Sequence, residues 1–307
     1  MKKFDFHVHI TAEQITVEQS AYYLNDMCAR KGYEGVGIIA ASHTSRGYHR
    51  DCNEKALALE KLVPGSFCFA GLHHDRDFVA QAEEYMSGGF RGIKLLNGKP
   101  SEYRHFGYGY ENERYDPFFA YCEKYGVPLL IHNNDPLVHW DATRASERAK
   151  KMGWVYDETF PPQSWFFEVM EGVLARYPRL KVALAHLGFY DDRLDRAAEL
   201  LEAYPNLVFD ITPATGIFVS LSQTPQQSEA FFKKYHDRLI FGTDASNNLT
   251  GDARALNDVK TDMTDAFFGG GAPCTVGKYP ITPIHLPNEM LEDIYYHNAM
   301  RFANIKQ

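Results

Sequence analysis

The sequence predicts an α/β fold, a TIM (β/α)8 barrel with long inserted loops at its C-terminal face. Eight short apolar segments alternate with helical segments along the 307 residues, the pattern of a parallel sheet with right-handed crossovers. No glycine-rich dinucleotide fingerprint follows the first strand, which favours a closed barrel over an open sheet. Polar residues recur at the carboxyl ends of the strands, where barrel active sites lie. We expect a single domain, 1–307.

The first half of the chain sets out this alternation. Gly32 closes the first helix, Asp51 caps the second, and Pro64 with Gly65 ends it. An aromatic and charged loop, 97–115, follows the fourth strand. The predicted strands are 4–10, 35–41, 66–72 and 90–96, and the predicted helices are 16–31, 52–63, 75–86 and 116–125.

The second half repeats the alternation with longer connections. Residues 133–162 form a long loop, residues 245–286 form a long irregular segment, and a final helix begins at Pro287. The predicted strands are 127–132, 181–186, 207–211 and 238–243, and the predicted helices are 163–177, 192–204 and 226–235.

Composition limits the classes of partner. The net charge of −8 disfavours non-specific binding to nucleic acid or to an anionic membrane. Five scattered cysteines without a Cys-x-x-Cys pair indicate reduced thiols. Neither a signal peptide nor an apolar stretch of membrane-spanning length is recognisable. We expect a cytoplasmic protein that acts on a small molecule.

Histidines and an aspartate at strand ends predict a metal site. On an extended strand His7 and His9 share one face, opposite Phe6, Val8 and Ile10. A lone His-x-His is more often an ordinary half-buried pair. However, further polar side chains end other strands of the same barrel rim, and this coincidence favours metal binding. The polar strand ends are His132, His186, Asp244, Asp210 and Thr212.

His7, His9, His132 and Asp244 would supply nitrogen and carboxylate ligands to one divalent metal, best zinc, with manganese, iron or cobalt as alternatives. An open position on the metal would hold water or substrate. Asp244 would take the proton from metal-activated water, and His186 would act as a second acid/base or support an oxyanion.

Lys94, within the fourth strand, has several interpretations. It would bind a substrate carboxylate, or be carbamylated and bridge a second metal with His186, or form a salt bridge to Asp5 or Asp75. The sequence leaves these alternatives open.

The long loops favour a planar or carboxylate-bearing substrate, because aromatic side chains alternate there with arginines. The same composition suits a subunit interface, and we expect a homo-oligomer. Candidate substrate contacts are His43, Arg46, His73, His74, Tyr103 and Arg104.

Together these motifs resemble the amidohydrolase superfamily, and more narrowly its "amidohydrolase 2" branch. The segments that carry the resemblance are FDFHVHI, GFRGIKLL, DPFFAYCEKYGVPLLIHNN, YPRLKVALAHLG, YPNLVFDIT, RLIFGTDAS and YYHNAMRFANI. The branch includes aminocarboxymuconate-semialdehyde decarboxylase, resorcylate decarboxylases, and pyrone-dicarboxylate and sugar lactonases. TatD-like DNases also begin with His-x-His but carry a glutamate where this chain has Lys94. Phosphatases of the polymerase-and-histidinol-phosphatase type usually end in Asp-x-His, whereas Asp244 precedes Ala245-Ser246.

The resemblance implies roles for the site residues. His7, His9, His132 and Asp244 match the ligands of the family's principal metal, His186 its catalytic or second-metal histidine, and Lys94 the position carbamylated in binuclear members.

We therefore expect a metal-dependent hydrolase that cleaves a lactone, ester or amide through metal-activated water, with one or two metals per chain. The alternatives are a metal-dependent non-oxidative decarboxylase of an aromatic or unsaturated acid, and a non-catalytic binding barrel. Long insertions after His132 and Asp244 set this chain apart from the usual family pattern.

Overall fold

Eight parallel strands, each hydrogen-bonded to the next in chain order, form the centre of the computed structural model, which describes residues 1–10, 15–214, 216–247 and 251–306. This arrangement confirms the predicted TIM-barrel fold. The strands are β1 (Lys3–Ile10), β2 (Tyr33–Ala40), β3 (Phe67–Gly71), β4 (Gly92–Gly98), β5 (Leu129–Asn133), β6 (Val182–Leu184), β7 (Leu207–Asp210) and β8 (Leu239–Ile240).

The chain beyond β8 returns to β1 and closes the sheet. Ala245–Ser246 pairs in parallel with β1, with Val8 opposite Ala245. The backbone N–H of Phe6 also donates to the carbonyl of Phe241 at 3.1 Å. We call this contact between β1 and residues 241–247 the closing seam.

Helices follow most strands. Thr16 and Gln19 form a capping box before the first helix, and Gly32 ends it in the left-handed conformation, with φ of 70°. The helices are α1 (Val17–Lys31), α2 (Cys52–Glu60), α3 (Phe78–Ser87), α4 (Pro100–Phe106), α5 (Tyr115–Tyr125), α6 (Glu147–Lys151), α7 (Gln163–Arg176), α8 (Leu194–Ala203), α9 (Ile217–Leu221), α10 (Pro225–Tyr235), α11 (Gly251–Phe268), α12 (Asn288–Glu292) and α13 (Asn298–Phe302).

Short 3₁₀ segments occur at Leu137–Trp140, Ala185–Phe189 and His236–Arg238, and a π-helical turn at Asp293–His297 joins α12 to α13. No helix in the described part of the chain combines the length and the apolar character that crossing a bilayer requires.

Several sequence expectations were wrong in detail. The segment 245–286 contains the 18-residue helix α11 and a hairpin of Cys274–Val276 with Tyr279–Ile281. The loop 97–115 contains α4. Asp51 precedes α2, but its carboxylate pairs with Lys55 and makes no cap hydrogen bond.

The face of Phe6 was also predicted wrongly. Phe6 packs with Phe4 and Phe69 in the interior of the barrel, whereas Val8 and Ile10 belong to the outer core. The pairing of β1 with β2 shifts register between Asp5 and Val8, and such an irregularity breaks the alternation of faces. Apolar rings therefore fill the amino-terminal half of the barrel and leave its carboxyl-terminal half to polar residues.

Candidate metal centre

Three side chains at the closing seam direct ligand atoms towards one point. His7 Nε2 and His9 Nε2 lie 3.0 Å apart. Asp244 Oδ1 is 3.4 Å from His9 Nε2 and 3.9 Å from His7 Nε2. Among the described residues, this is the one group of three or more potential metal ligands whose atoms converge, all within 4.8 Å of one another.

These separations fit a divalent cation. Metal–ligand bonds of about 2.1 Å place two ligand atoms about 3.0 Å apart at a right angle and about 3.4 Å apart at the tetrahedral angle. Burial lowers the pKa of both His7 and His9, which favours the neutral, metal-binding form of the two imidazoles. Burial would raise the pKa of Asp244, but Lys260 and His9 hold it well below its usual value. Two neutral nitrogens and one anionic oxygen suit a transition metal.

A carboxylate on β7 orients the first ligand. Asp210 Oδ2 bonds His7 Nδ1, and both side chains are completely buried. Asp210 Oδ1 accepts from the backbone N–H of Thr212 at 2.9 Å. When His7 donates to this carboxylate through Nδ1, the lone pair of Nε2 faces the convergence point. Asp210 thus stands where metal-binding histidines commonly have an outer carboxylate partner, an arrangement that its position at a strand end did not reveal.

The closing seam is fixed by a second buried carboxylate. Asp5 accepts hydrogen bonds from Thr243 Oγ1 at 2.6 Å and from the backbone N–H of Thr243 at 2.9 Å. It also accepts from the backbone N–H of His7 at 3.2 Å. Gly242 allows the segments to approach, because a Cβ there would lie 2.8 Å from the Cβ of His7. Asp5 therefore connects the two segments that carry the three converging ligands.

Lys260 from α11 was missed by sequence reasoning because it falls in a segment predicted to be irregular. Its Nζ donates to the carbonyl of Asp244 at 2.7 Å and to Asp244 Oδ2 at 3.1 Å. Asp244 has a positive φ of 54°, a conformation that few residues other than glycine adopt. Lys260 therefore holds both the backbone and the carboxylate of this strained residue, leaving Oδ1 towards the histidines.

His186 lies beside the convergence point. Its ring is stacked 5.8 Å from the ring of His7, and its Nδ1 is 2.8 Å from Thr212 Oγ1. Burial lowers its pKa well below the usual value. The backbone from His186 to Phe189 is left-handed, with φ values of 52–60°. Such strain persists only where the surroundings impose it, and here it follows directly on β6.

His132 takes a different position from the three converging ligands. Its ring is 4.9 Å from the ring of His186. Its Nε2 donates to the carbonyl of Asn134 at 3.0 Å and lies 3.4 Å from Asp135 Oδ1. That nitrogen is therefore engaged in the loop after β5, and the group of converging ligands does not include His132. The role of His132 as a ligand stays a prediction.

A buried ion pair supports this loop. Lys99 Nζ donates to both carboxylate oxygens of Asp135 at 2.7 Å, and Tyr156 also donates to Asp135. Burial would raise the pKa of Asp135, but Lys99 and His132 hold it well below its usual value. The insertion 133–162 is thus anchored next to His132 by the hydrogen bonds that converge on Asp135.

Lys94 is inside the barrel, with its Nζ 3.4 Å from His7 Nε2. Burial lowers its pKa to about 8. Asp5, one of the salt-bridge partners considered, directs its oxygens instead to Thr243 and the His7 backbone. Lys94 therefore borders the candidate metal centre.

Two of the predicted substrate contacts line a cavity next to Lys94. His43 and His74 both belong to its wall, and His43 Nδ1 accepts from the backbone N–H of His74 at 3.1 Å. The ring of His74 stacks on Phe106 with centroids 3.8 Å apart. The backbone N–H of His73 donates to Gln81, and its side chain is buried.

The other three predicted substrate contacts pack against aromatic side chains of this chain. Arg46 lies over the ring of Trp154 at 5.2 Å, and Arg104 over that of Phe160 at 3.2 Å. Tyr103 packs edge-on against Trp165. Their observed partners are therefore other loop and helix residues.

Comparisons with solved structures agree with the fold. An uncharacterized TIM-barrel protein from Bordetella bronchiseptica is 15% identical, with a TM-score of 0.62 over 99% of each chain. A probable 2-pyrone-4,6-dicarboxylic acid hydrolase from Acinetobacter baumannii, with citric acid bound, is 14% identical, with a TM-score of 0.56 over 99% of this chain and 100% of that one.

A dihydroxybenzoic acid decarboxylase from a Polaromonas species, with bound manganese and the inhibitor 2-nitroresorcinol, is 16% identical. Its TM-score is 0.56 over 99% of this chain and 97% of that one. At these identities the likeness shows the fold alone. A family model described as amidohydrolase, however, matches residues 5–304, nearly the whole sequence. The chain therefore belongs to the amidohydrolase family.

Proposed function

We propose that this protein is a metal-dependent hydrolase that cleaves a C–O or C–N bond in a lactone, ester or amide of a small carboxylated molecule. The observation that carries the proposal is the convergence of His7 Nε2, His9 Nε2 and Asp244 Oδ1, with Asp210 behind His7. A divalent metal bound there lowers the pKa of a coordinated water and polarises a carbonyl. Zinc suits the donors best, with manganese, iron and cobalt as alternatives.

Asp244 and His186 are the groups placed to move protons. Asp244 Oδ1 faces the histidines as a ligand atom, so the other oxygen, Oδ2, which Lys260 contacts at 3.1 Å, would accept the proton. His186 Nδ1 contacts the Thr212 hydroxyl at 2.8 Å and, less closely, the Thr212 carbonyl at 3.3 Å; when it accepts from the hydroxyl, the imidazole hydrogen lies on Nε2. That N–H would stabilise negative charge developing on the substrate.

Lys94 and the long loops would bind and enclose the substrate. The Lys94 ammonium is buried beside His7 and would pair with a substrate carboxylate. The alternative is a carbamate on Lys94 that would bridge a second metal with His186. The insertion 133–162, anchored through Asp135, would exclude water from the site.

A second candidate is a non-oxidative decarboxylase, and the contact of Lys260 with Asp244 favours it. A carboxylate held by an ammonium group is a weaker base, so Asp244 would act mainly as a metal ligand. His186 would then protonate the carbon that loses carbon dioxide. The family includes both hydrolases and decarboxylases.

Metal content per chain tests the shared part of both proposals. Elemental analysis of protein purified without chelator should find metal in the wild type and lose it in His7→Ala. One metal retained in Lys94→Ala and His186→Ala would indicate a mononuclear site. Two metals, one of them lost in either variant, would indicate a carbamate-bridged pair. Protein without metal at any stage, even after incubation with zinc or manganese, would contradict the proposal.

Turnover separates the two reactions. Hydrolysis of a panel of lactones and esters, followed by acid release, supports the hydrolase. Release of carbon dioxide from hydroxybenzoic acids supports the decarboxylase. A metal-loaded protein that does neither would support the binding-barrel alternative.

A further inference from the structure

Helix α11 brings a buried cation to Asp244. The Lys260 side chain is 8% exposed. Its Nζ donates to the backbone carbonyl of Asp244 at 2.7 Å and to Asp244 Oδ2 at 3.1 Å. A buried ammonium group is stable when an anion compensates its charge, and the Asp244 carboxylate is that anion. Lys260 therefore contacts one of the three converging ligands directly, from a helix that follows the last strand of the barrel.

Contacts elsewhere on α11 fix the position of Lys260. Thr261 Oγ1 accepts a hydrogen bond from the buried hydroxyl group of Tyr33, on β2, at 3.3 Å. Asp262 pairs with Lys31, on α1, at 3.0 Å. These contacts dock the helix on β2 and α1 without involving Asp244. The fold therefore presents the ammonium group to Asp244.

The two oxygens of the Asp244 carboxylate have different surroundings. Oδ1 is 3.4 Å from His9 Nε2 and 3.9 Å from His7 Nε2, whereas Oδ2 is the oxygen that Lys260 contacts. A carboxylate binds a metal through one oxygen or through both. Binding through both would take Oδ2 away from Lys260 and leave a buried ammonium group without its anion, which is strongly unfavourable. The surroundings therefore favour binding through Oδ1 alone.

The backbone contact of Lys260 keeps the carboxylate in this orientation. Asp244 has a left-handed φ of 54°, and its carbonyl accepts from the same Nζ. We propose that Lys260 is a positioning residue, which limits Asp244 to one bond with the metal and so keeps a coordination position open for water or substrate. This inference rests on the proposed function in that it requires a divalent metal at the converging ligands. Its test therefore measures coordination and not turnover.

Cobalt(II) is the probe, because its visible absorption is stronger in sites with four or five ligand atoms than in sites with six. Metal-free wild-type protein, Lys260→Met and Lys260→Arg are titrated with cobalt, and the molar absorption of the bound ion is compared. Methionine has a similar length but neither a charge nor a hydrogen-bond donor, so Oδ2 becomes free to bind the metal. We expect the absorption of Lys260→Met to be about half that of the wild type or less. Lys260→Arg retains a charged donor and should keep the wild-type spectrum.

Lys31→Met is the matched control. The Lys31 side chain is 17% exposed and pairs with Asp262 of α11, not with Asp244. Its replacement loosens the docking of α11, so it should lower the free energy of unfolding but leave the cobalt spectrum unchanged. If Lys260 served only to dock the helix, the two methionine variants would have the same spectrum. Denaturant unfolding of each metal-free variant establishes that it is folded.

A crystal structure of the cobalt-loaded wild type tests the arrangement without any substitution. Asp244 Oδ1 should lie about 2.1 Å from the cobalt, with Oδ2 still on Lys260. Both oxygens on the cobalt would overturn the inference, as would a wild-type spectrum in folded Lys260→Met or an equal change of spectrum in Lys31→Met. Any of these results would leave the proposed function standing, whereas wild-type protein that binds no cobalt would contradict both.

Discussion

Replacing Asp210 with asparagine tests whether the converging histidines are built to bind metal. Asp210 and His7 are both completely buried, and the carboxylate fixes the imidazole with its lone pair at Nε2. An amide at position 210 would donate to Nδ1 and shift the imidazole hydrogen to Nε2. That hydrogen would then lie between His7 Nε2 and His9 Nε2, which are 3.0 Å apart.

The expected loss of metal affinity follows from the role of such outer carboxylates. Removing the partner of a metal-binding histidine costs about 10- to 100-fold in affinity. This range corresponds to about 1.4–2.7 kcal/mol. Because the three ligand side chains themselves stay in place, we expect Asp210→Asn to weaken binding within this range and not to abolish it.

The assay is competition for zinc between the protein and a chromophoric chelator at neutral pH, with denaturant unfolding of the metal-free protein in parallel. Glu102→Gln is the control, since Glu102 is a buried carboxylate that accepts from the Ser45 backbone and contacts none of the ligands. An affinity for Asp210→Asn within two-fold of the wild type would refute the tautomer argument. An equal loss in Glu102→Gln would assign the effect to the fold.

Three further predictions use other parts of the site. Lys260→Met should lower the free energy of unfolding of the metal-free protein by about 2 kcal/mol, because Asp244 loses a charged donor. Bound zinc should recover part of this loss. A denaturant midpoint equal to that of the wild type would contradict the prediction. Burial, then His43 and Arg114, lowers the pKa of His74 to about 3. The unfolded chain therefore binds a proton at His74 below about pH 6.5 that the fold does not, and this residue should contribute about 2 kcal/mol to the fall in stability between pH 7 and pH 5. His74→Gln should remove that contribution while the other buried histidines keep theirs, as measured by unfolding at each pH; an unchanged profile would contradict the prediction. Zinc at 100 times its dissociation constant should add about 2.7 kcal/mol of stability to the wild type and none to His7→Ala, in unfolding with and without chelator.

The sequence predicted the barrel because its strands are short and apolar, and these runs coincide with the observed strands to within a few residues. It also identified the polar strand ends, since parallel strands in a barrel bring their carboxyl ends to one rim. Two buried segments, KVALAH and RLIFGT, illustrate both points, because each ends in or precedes a residue beside the metal centre.

The sequence did not predict α11, and the reason is the composition of its buried face. Residues 257, 260, 261 and 264 are buried at the spacing of one helix face and all are polar, whereas the buried apolar residues, Met263, Phe267 and Phe268, come only in the last turns. A search for apolar periodicity overlooks such a helix. Lys260 was missed with it.

The directions of some side chains could not be predicted from the sequence either. The register shift in β1 moves Phe6 to the interior, and the loop after His132 engages Nε2 of that histidine. Neither effect is visible in residue types and spacing, because both depend on the path of the backbone. The homo-oligomeric state and the cytoplasmic location stay predictions.

Because its ligands come from both sides of the closing seam, the candidate metal centre is complete only when the barrel has closed. Asp5 and Thr243 are 238 positions apart in the chain, yet their hydrogen bond lies directly behind His7 and Asp244. Contacts of such large sequence separation form late, after the loop-closure entropy of the intervening chain has been lost. A partly folded chain with β1 and β2 in place would have two of the converging ligands and lack the third. Capture of the metal would then coincide with the joining of the first strand to the last, and a bound ion would brace the junction where the barrel closes.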